Sequence, residues 1–384
     1  MGIKIEMSRI LIVSRSLLPI PSGSAVIMSN LISGFDKENA VVICETRNNA
    51  TQTWTTSYPD VHYVNYDKSI NGKGAAYFRW LNSKKLVDFC VKIATKYQCS
   101  QILGIFPDDF FLYAAYRTSQ ILNLPLHTWF HNTFLDNFTG WKKLIAYYLQ
   151  PKIFNEAKHK FVMSDGMKEF YAQQYPKVHF ETLVHGFKLP DITYRKLKIN
   201  KEKLKFVFTG SFNDSCRDAS IRLMSYIIQQ ENYELHLYTG NSEKDLKSAG
   251  IEGKNVFYHD FVTLEVLYKL LPRYDIMLLP HGLTGNRTDV EFRTIFPTRT
   301  IPYLCSNRPI LAHSPSDAYI TKFLKRHDCA FIADAPSEVQ IAQTIHQIVS
   351  NIDRRERVIK NALNCAAQFD VNKVIDKLKN AILP

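Results

Sequence analysis

A regular alternation of short apolar runs with longer amphipathic segments places the tightest constraint on how this chain folds. In the first half, the apolar runs are RILIVS (9–14), AVVIC (40–44), VHYVNY (61–66), QILGIF (101–106), LHTWF (126–130) and KFVMS (160–164). Continuous apolar strands separated by helices indicate a parallel sheet that is covered on both faces. The first half therefore predicts one doubly wound α/β domain.

The alternation stops at a basic segment and then begins again. Residues 188–205, KLPDITYRKLKINKEKLK, hold seven basic and two acidic residues. Six further apolar runs follow: KFVFTG (205–210), ELHLYTG (234–240), NVFYHD (255–260), DIMLLP (275–280), RPILAH (308–313) and AFIAD (330–334). The second series predicts a second domain of the same class, so we expect an α/β protein with two Rossmann-like, parallel-sheet domains.

The domain boundaries follow from these two series. We expect a first domain at 1–187, a basic linker at 188–204, a second domain at 205–366 and a C-terminal helix at 367–384. The amphipathic pattern FDVNKVIDKLKNAIL predicts that this helix crosses back to the first domain. Open parallel sheets bind ligands beyond the carboxyl ends of their strands, so we expect the two domains to face a cleft.

Charge and cysteine content narrow the class of protein. Lys and Arg outnumber Asp and Glu by 48 to 36, and the net charge of +12 favours anionic partners such as sugar nucleotides, lipid headgroups or nucleic acid. The seven cysteines are scattered without a C-x-x-C pair, which indicates neither a disulfide framework nor a zinc site. The first twenty residues read as a strand rather than a signal peptide, and no window of about 18 uncharged apolar residues occurs. We expect a cytoplasmic protein that does not span a membrane.

Three segments combine turn residues with polar groups at strand ends. FPTRTIPYLCSNRPIL (296–311) places Arg299 in a turn before a predicted helix, where unpaired N–H groups and a forked cation suit phosphate. PIPSGSA (19–25) and FVFTGSFND (206–214) each join a strand to a helix through glycine, which lets a ligand approach the backbone. A plain strand-to-helix turn is the alternative at 19–25.

Taken in order, these segments resemble the GT-B glycosyltransferases, and most of all the retaining family GT4 (glycosyl transferases group 1) of bacterial polysaccharide and glycolipid synthesis. The resemblance covers nearly the whole chain and is carried by RILIVSRSLLPIPSGSAV, FVMSDGMKEFYAQQY, HGFKLP, FVFTGSF, FVTLEVLYKLLPRYDIMLLP and FPTRTIPYLCSNRPILAHSP. It implies a first domain that binds a saccharide or lipid-linked saccharide acceptor and a second domain that binds a nucleotide sugar. It also implies transfer with retention, without a metal or another cofactor; the sequence contains no D-x-D.

The resemblance assigns candidate residues to the donor. In the family, the segment matching FPTRTIPYL carries a lysine for phosphate and a glutamate for ribose, and here Arg299 and Pro302 stand at those positions. Ribose is therefore held differently, or the nucleotide preference is unusual. The donor-binding candidates are Gly210, Ser211, Arg217, Tyr258, Phe261, Arg293, Pro297, Thr298, Thr300 and Tyr303, with Arg287 as a further cation. Core packing of the two aromatic rings and solvation of the loop arginines are the alternatives.

The resemblance also suggests residues close to the chemistry. His131 in WFHNTF matches a family histidine beneath the donor sugar, and Glu291 is the nearest match to a sugar-binding glutamate; with Arg299 they are the catalytic candidates. A histidine packed among aromatic rings and an exposed loop charge are the respective alternatives. The acceptor-side candidates are Arg15, Gly23, Ser24, Asp108 and Asp109, where the aspartates alternatively cap the next helix.

Two segments of the first domain combine lysine pairs with aromatic and apolar residues. YFRWLNSKKLVDFCVKIATKY (77–97) and GWKKLIAYYLQPKIF (140–154) are predicted helices that suit the surface of an anionic membrane, or else are ordinary half-buried helices. The first interpretation makes the protein peripheral on the inner face of the cell membrane.

Other functions on the same fold stay open at this point. A sugar-nucleotide epimerase or an inverting transferase fits the same segments, and a binding protein without turnover fits the missing glutamate at 302. We expect no nucleic-acid partner, because the chain has no stacking-aromatic motif, zinc pattern or basic recognition helix.

Overall fold

The computed structural model describes residues 9–18, 23–46, 57–65, 75–191, 193–200, 202–284 and 289–383. The chain divides into two compact units, of which the first comprises Met1–Lys188 with Val371–Pro384 and the second Leu189–Asp370. The basic segment expected as a linker is part of the second unit, where the backbone of Arg195 exchanges hydrogen bonds of 3.3 and 2.9 Å with the side chain of Asn307.

The first unit is built on a parallel sheet. Its strands are β1 (Ile10–Val13), β2 (Ala40–Glu45), β3 (Asp60–Val64), β4 (Gln101–Phe106), β5 (Leu126–Phe130), β6 (His159–Val162) and β7 (Glu181–Thr182), in the order β3-β2-β1-β4-β5-β6-β7. Each of the six predicted runs forms a strand. The seventh strand, β7, was not predicted, because its two residues are too few to show a pattern. Strands β1, β2, β4 and β5 are buried throughout, as their continuous apolar sequence predicts.

Helices connect these parallel strands. They are α1 (Gly23–Ile32), α2 (Ala75–Leu81), α3 (Ser83–Lys96), α4 (Asp109–Leu122), α5 (Gly140–Glu156) and α6 (Asp165–Gln174), with a 3-10 turn at Leu135–Asn137. The C-terminal helix, numbered below as α15 (Val371–Ile382), packs on this unit because Gly186 lets it approach closely. A Cβ at Gly186 would lie 3.1 Å from Cα of Val371, whose N–H donates to the carbonyl of Phe187 at 3.0 Å.

The second unit repeats this design with another parallel sheet. Its strands are β8 (Leu204–Thr209), β9 (Tyr233–Tyr238), β10 (Val256–His259), β11 (Ile276–Pro280), β12 (Ile310–His313) and β13 (Phe331–Ala333), in the order β10-β9-β8-β11-β12-β13. Each matches one of the six predicted runs, which confirms the predicted fold class.

The helices of the second unit alternate with these strands. They are α7 (Arg217–Ile228), α8 (Glu243–Ser248), α9 (Leu264–Leu270), α10 (Asp289–Thr294), α11 (Thr300–Leu304), α12 (Tyr319–Arg326), α13 (Glu338–Ser350) and α14 (Ile352–Ala366), with 3-10 turns at Leu271–Arg273 and Ala367–Phe369. The last turn stays with this unit because the ring of Phe369 stacks on Phe296 with 5.2 Å between centroids. The crossing helix therefore begins at 371 rather than 367.

Each sheet has one point where the strand order reverses. The reversal lies between β1 and β4 in the first unit and between β8 and β11 in the second. Connections on either side of such a point run over opposite faces, so the loops that follow the two strands diverge and leave a crevice. The residues that follow these four strands are therefore candidates for ligand binding.

Candidate functional site

In the first unit, the strand-order reversal carries paired charges. Arg15 follows β1 and Asp108 follows β4, and Nη1 of the arginine lies 3.3 Å from Oδ2 of the aspartate. Nε of Arg15 donates to Glu45, the last residue of β2, at 2.7 Å. Arg79 of α2 also approaches both carboxylates, with Nη1 3.4 Å from Asp108 and Nη2 3.7 Å from Glu45. We call Arg15, Glu45, Arg79 and Asp108 the arginine–carboxylate cluster.

The charges of this cluster balance. Asp108 and Glu45 are buried, while the two arginines reach partly into solvent. Burial works against the charged form of Arg15, yet the negative charges of Asp108 and Glu45 raise its pKa. Two cations therefore face two anions, and the cluster offers hydrogen-bonding groups without excess charge.

The two predicted acceptor-side aspartates have different partners. Asp108 caps α4 by accepting from the N–H of Phe111 at 3.0 Å, so the capping alternative holds for it alongside the ion pairs. Asp109 is buried and accepts from Nε1 of Trp80 at 3.1 Å and from Nζ of Lys142 at 3.2 Å. Both carboxylates are thus fixed by the protein itself.

The glycine turn after β1 is only partly described. Helix α1 begins at Gly23, which is exposed, and Ser24 follows it half-buried. The preceding residues 19–22 lie outside the described part of the chain. The structure places both candidates in the first turn of α1.

His131 follows β5 and is buried. Its backbone N–H donates to the carbonyl of Phe106 at 3.1 Å, but neither ring nitrogen has a hydrogen-bond partner among the described residues. Its ring meets Trp129 edge-on at 4.2 Å between centroids and His185 at 4.9 Å. Burial, with a smaller contribution from His185, lowers the pKa of His131 well below 6.5, so the imidazole is neutral.

In the second unit, the glycine turn after β8 is bonded on one side to the neighbouring strand β9. Gly210 has a φ of +89°, a conformation that favours glycine, and its N–H donates to the carbonyl of Tyr238 at 2.8 Å. Ser211 is exposed, and its carbonyl oxygen accepts from Nη2 of Arg299 at 2.6 Å. The turn therefore presents its open side next to a guanidinium.

Arg299 is held on two sides. Its guanidinium carbon lies 4.4 Å from the ring centroid of Phe208, and Nη2 also lies 3.9 Å from Sγ of Cys216. Its Nη1 is buried and has no partner within the described chain. The guanidinium is therefore fixed in place while the N–H groups of Nη1 remain available to a ligand.

The turn that carries Arg299 is anchored to β8. Tyr303 is buried, and its hydroxyl accepts from the N–H of Thr209 at 2.8 Å. Thr300 is buried with its Oγ1 unpaired, and its N–H donates to the carbonyl of Pro297 at 2.9 Å. Pro297 and Thr298 are half-buried. Because α11 has only five residues, Arg299 supplies more of the positive charge here than the helix dipole does.

The remaining donor candidates lie in different surroundings. Arg217 is exposed at the start of α7 with its guanidinium carbon 5.1 Å from the ring centroid of Phe212. Arg293 is exposed and pairs with Asp317 at 2.9 Å. Tyr258 packs against the core, and its hydroxyl donates to the carbonyl of Ile251 at 2.6 Å. Phe261 follows β10 and is 60% exposed.

Glu291 is not an exposed loop charge. It lies in α10 with 2% of its surface exposed. Arg287, in the loop before α10, lies outside the described residues. The loop after β11 is held by Asp218 of α7, which accepts from the N–H groups of Leu283 and Thr284 at 3.1 and 2.9 Å.

Four residues of these sites were not predicted. Glu45 directly follows the predicted run AVVIC (40–44), so its position at a strand end could have indicated it. His185 lies in the segment HGFKLP, which is part of the family resemblance. Arg79 and Lys142 lie in the two segments that were interpreted as membrane-facing helices. Their ion-pair partners, Glu45 and Asp108 for Arg79 and Asp109 for Lys142, are distant in sequence, so no local pattern indicates them.

The exposed faces of α2 and α5 meet. Tyr77 and Trp141 contact edge-on with 6.4 Å between ring centroids. Six large apolar or aromatic side chains are exposed on the two helices: Tyr77, Leu81, Trp141, Leu144, Tyr147 and Tyr148. We call these six residues the aromatic surface.

Among the described residues, no helix is long and apolar enough to cross a membrane. The same residues contain no group of three or more His, Cys, Asp or Glu side chains arranged to hold a metal ion.

Comparison with known proteins identifies the fold. No protein-family model matches the sequence, and a search of curated proteins finds no match. Sucrose-phosphate synthase from Thermosynechococcus elongatus has a TM-score of 0.73 at 12% identity, over 97% of this chain and 98% of that chain. HepE of Anabaena in complex with UDP-glucose has a TM-score of 0.69 at 16% identity, over 97% and 99%.

A third solved structure is similar over the same extent. WaaG, a glycosyltransferase involved in lipopolysaccharide biosynthesis, has a TM-score of 0.61 at 12% identity, over 97% of this chain and 99% of that chain. At such low identity the likeness establishes the fold alone. The expected GT-B architecture is confirmed.

Proposed function

We propose that this chain, with its GT-B fold, is a glycosyltransferase that moves a sugar from a nucleotide-sugar donor to a saccharide or lipid-linked saccharide acceptor. The observation that carries the proposal is the guanidinium of Arg299, fixed beside Gly210 and Ser211 with Nη1 buried and unpaired. A buried donor without a partner costs about 1–3 kcal/mol, which an anionic ligand would recover. The similar HepE structure contains UDP-glucose, which supports a nucleotide sugar as that ligand.

The second unit binds the donor diphosphate. Arg299 neutralises charge on the leaving group, and the open turn at Gly210 lets phosphate oxygens approach the backbone. Thr300 adds a hydroxyl whose oxygen is unpaired. Donors already in place stabilise the developing charge without reorganisation as the glycosidic bond breaks.

Ribose and base are held without the glutamate that the resemblance to family GT4 leads one to expect at position 302. Pro302 is the third residue of α11 and is buried, so it offers no contact to a hydroxyl group. Phe261, exposed after β10, is our candidate for stacking on the base. Tyr258 is the weaker candidate because its hydroxyl and ring are engaged within the unit.

Retention and independence of metal are parts of the proposal that rest on the GT4 resemblance. In such a reaction the departing phosphate deprotonates the acceptor, and the protein stabilises the diphosphate and the cationic sugar. Arg299 performs the first task, and His131 and Glu291 are the candidates for the second.

The first unit binds the acceptor at the arginine–carboxylate cluster. Because Arg15 and Arg79 are balanced by Glu45 and Asp108, the cluster suits the hydroxyl groups of an uncharged saccharide better than a phosphate. A hydroxyl group both donates and accepts hydrogen bonds, so it can donate to a carboxylate and accept from a guanidinium group.

We further propose that the aromatic surface rests on anionic lipid, which would bring a lipid-linked acceptor to the first unit. The two segments that contain this surface also carry exposed lysines at positions 84 and 85 of α3 and 143 and 152 of α5. Aromatic rings suit the interfacial region of a bilayer, and each nearby cation contributes about 1 kcal/mol on an anionic membrane. The setting we propose is the cytoplasmic face of a bacterial cell membrane, in surface polysaccharide or glycolipid synthesis.

A thermal-shift screen tests the donor site. The wild-type chain is mixed with UDP, GDP, dTDP, ADP and CMP and with their common sugar conjugates, alongside R299A and the matched control R326A, an exposed arginine of α12 that is not a donor candidate. We expect one nucleotide to raise the melting temperature of the wild type and of R326A but not of R299A. No shift with any nucleotide would contradict a donor site and favour a binding protein without turnover. Turnover without an acceptor would favour an epimerase.

A further inference from the structure

Two buried histidines in the first unit have ring nitrogens without partners. Both nitrogens of His131 and Nε2 of His185 are buried and have no hydrogen-bond partner in the described chain. His131 is 3% exposed and His185 is 5% exposed. Buried polar atoms are nearly always paired in native proteins, so three unpaired nitrogens on touching rings indicate an unfilled polar site.

The fold brings these rings together from strands that are not neighbours. His131 follows β5 and His185 follows β7, with β6 between them in the sheet. The indole Nε1 of Trp129 donates to the carbonyl of Leu183 at 2.9 Å and so ties β5 to the segment that carries His185. The imidazole rings then meet edge to face, 4.9 Å apart and at 68°.

Other buried histidines of the described chain are engaged by the protein. Nε2 of His127 lies 2.7 Å from Oε1 of Gln101, Nε2 of His281 donates to the carbonyl of Phe292 at 2.7 Å, and Nδ1 of His313 donates to that of Ala333 at 2.8 Å. Nδ1 of His127 is also unpaired, but each of these three rings has at least one hydrogen-bond partner in the described chain. The rings of His131 and His185 differ because, within the described residues, they form contacts with aromatic rings and not hydrogen bonds.

We propose that His131 and His185 together bind one hydroxyl group of a saccharide substrate, with an N–H of one imidazole donating and a ring nitrogen of the other accepting. The inference rests on the proposed transferase function and adds His185 as a specificity-determining residue. A neutral imidazole carries one donor and one acceptor, and a hydroxyl group needs both. Burial lowers the pKa of His185 to about 3 and keeps His131 neutral as well, so the pair has this composition at physiological pH.

The pair explains how such a site selects its sugar. A site that hydrogen-bonds a hydroxyl group rejects an analogue that lacks it, because buried polar atoms are then left unpaired. The hydroxyl group belongs either to the transferred sugar of the donor or to the acceptor saccharide. The hydrogen bonds are the same in both cases. Loss of the pair would affect binding of the donor sugar in the first case and the KM of the acceptor in the second.

The test begins with the ligand-free protein. In H185L, an apolar side chain replaces an imidazole with an unpaired nitrogen, so the melting temperature stays unchanged or rises. The matched control is H127L, which leaves the amide of Gln101 without its 2.7 Å partner and lowers the melting temperature by about 3–9 °C. A comparable fall in H185L would show that His185 is structural and overturn the inference, even if no nucleotide sugar binds.

The second stage uses the nucleotide sugar that stabilises the wild type in the screen, compared with its nucleoside diphosphate. If the hydroxyl group belongs to the donor, H185L keeps the shift with the diphosphate, loses the extra shift from the sugar, and loses about 10- to 100-fold in kcat/KM. If it belongs to the acceptor, H185L binds the donor normally and the acceptor KM rises by a similar factor. H185Q, which keeps an amide donor and acceptor, recovers part of either loss.

Three results separate the two proposals. Normal donor shift and normal kinetics in H185L would overturn the role of the pair and leave the transferase function standing. A wild type that binds no nucleotide sugar would contradict the transferase function. An H185L protein as stable as the wild type would in that case still support an unfilled polar site at the two histidines.

Discussion

Nη2 of Arg299 donates to the carbonyl oxygen of Ser211 at 2.6 Å, across 88 positions of sequence. This bond joins the glycine turn after β8 to the turn before α11, which the sequence suggested separately as phosphate sites. It holds the guanidinium near the carboxyl end of β8, while Nη1 remains unpaired within the described chain. The site we propose for the diphosphate is thus a single structure made from two motifs.

Substitution of Arg299 should affect catalysis far more than stability. R299A removes the proposed leaving-group cation, and we expect kcat/KM to fall by about 10²–10³-fold. R299K keeps the charge but loses the forked geometry that binds both Ser211 and phosphate, so we expect an intermediate loss. Steady-state kinetics of both variants and of R326A, which removes an exposed arginine of α12, provide the measurement. Equal losses in R326A and R299A would argue against a special role for Arg299.

Asp108 should stabilise the first unit through charge as well as through its cap. D108N retains a good N-cap for α4 but loses the attraction to Arg15 and Arg79, and we expect the free energy of unfolding to fall by about 1–3 kcal/mol. D108A should cost about 1 kcal/mol more because the cap is lost as well.

The four tryptophans of the chain all fall in the first unit, so urea unfolding followed by tryptophan fluorescence reports on that unit. Equal stability of D108N and wild type would mean that the arginine pairs contribute nothing measurable.

Acid should destabilise the first unit through its neutral buried histidines. Burial lowers the pKa of His127 and His185 to about 3 and that of His131 far below 6.5. As the pH falls below 6.5, these histidines bind protons in the unfolded chain but not in the folded unit. Their contribution to the free energy of unfolding is therefore fully present above pH 6.5 and declines towards pH 3. Each histidine contributes up to about 1.4 kcal/mol per pH unit.

Urea unfolding between pH 7.5 and 5.5, again read from tryptophan fluorescence, measures this slope. H185L removes one of the three histidines and should make the slope shallower by up to about 1.4 kcal/mol per pH unit. An unchanged slope in H185L would contradict a neutral His185 in the folded state.

The aromatic surface should direct binding to anionic vesicles. Substituting Leu144, Tyr147 and Tyr148 by serine removes three of its exposed side chains, and we expect at least a tenfold weaker partition onto vesicles of phosphatidylglycerol and phosphatidylethanolamine. The matched control is V339S, because Val339 is also exposed, at 67%, but lies in the second unit. Vesicle co-sedimentation measures both. Weak binding by the wild type itself would remove the membrane from the proposal.

Much of the fold was accessible from the sequence because the signal is local. QILGIF is a short, mainly apolar run, which is the pattern of a strand covered on both faces. This pattern alone predicts β4, and the strand is buried throughout. β7 could not be predicted because a strand of two residues has no period. The C-terminal helix was predicted from 367 but begins at Val371. Phe369 stays with the second unit because its ring stacks on Phe296, 73 positions earlier in the sequence.

For the candidate sites, the apolar runs alone indicated which residues follow each strand: Arg15 after β1, Asp108 after β4, His131 after β5 and Gly210 after β8. The contacts of these residues came only from the folded structure. The strand order places Glu45 beside Arg15, and the hydrogen bond from Trp129 to Leu183 brings His185 to His131 across β6. Packing of α10 within the second unit buries Glu291. The physical reason is that apolar periodicity acts over a few residues, whereas side-chain partners depend on how distant strands are ordered in the sheet.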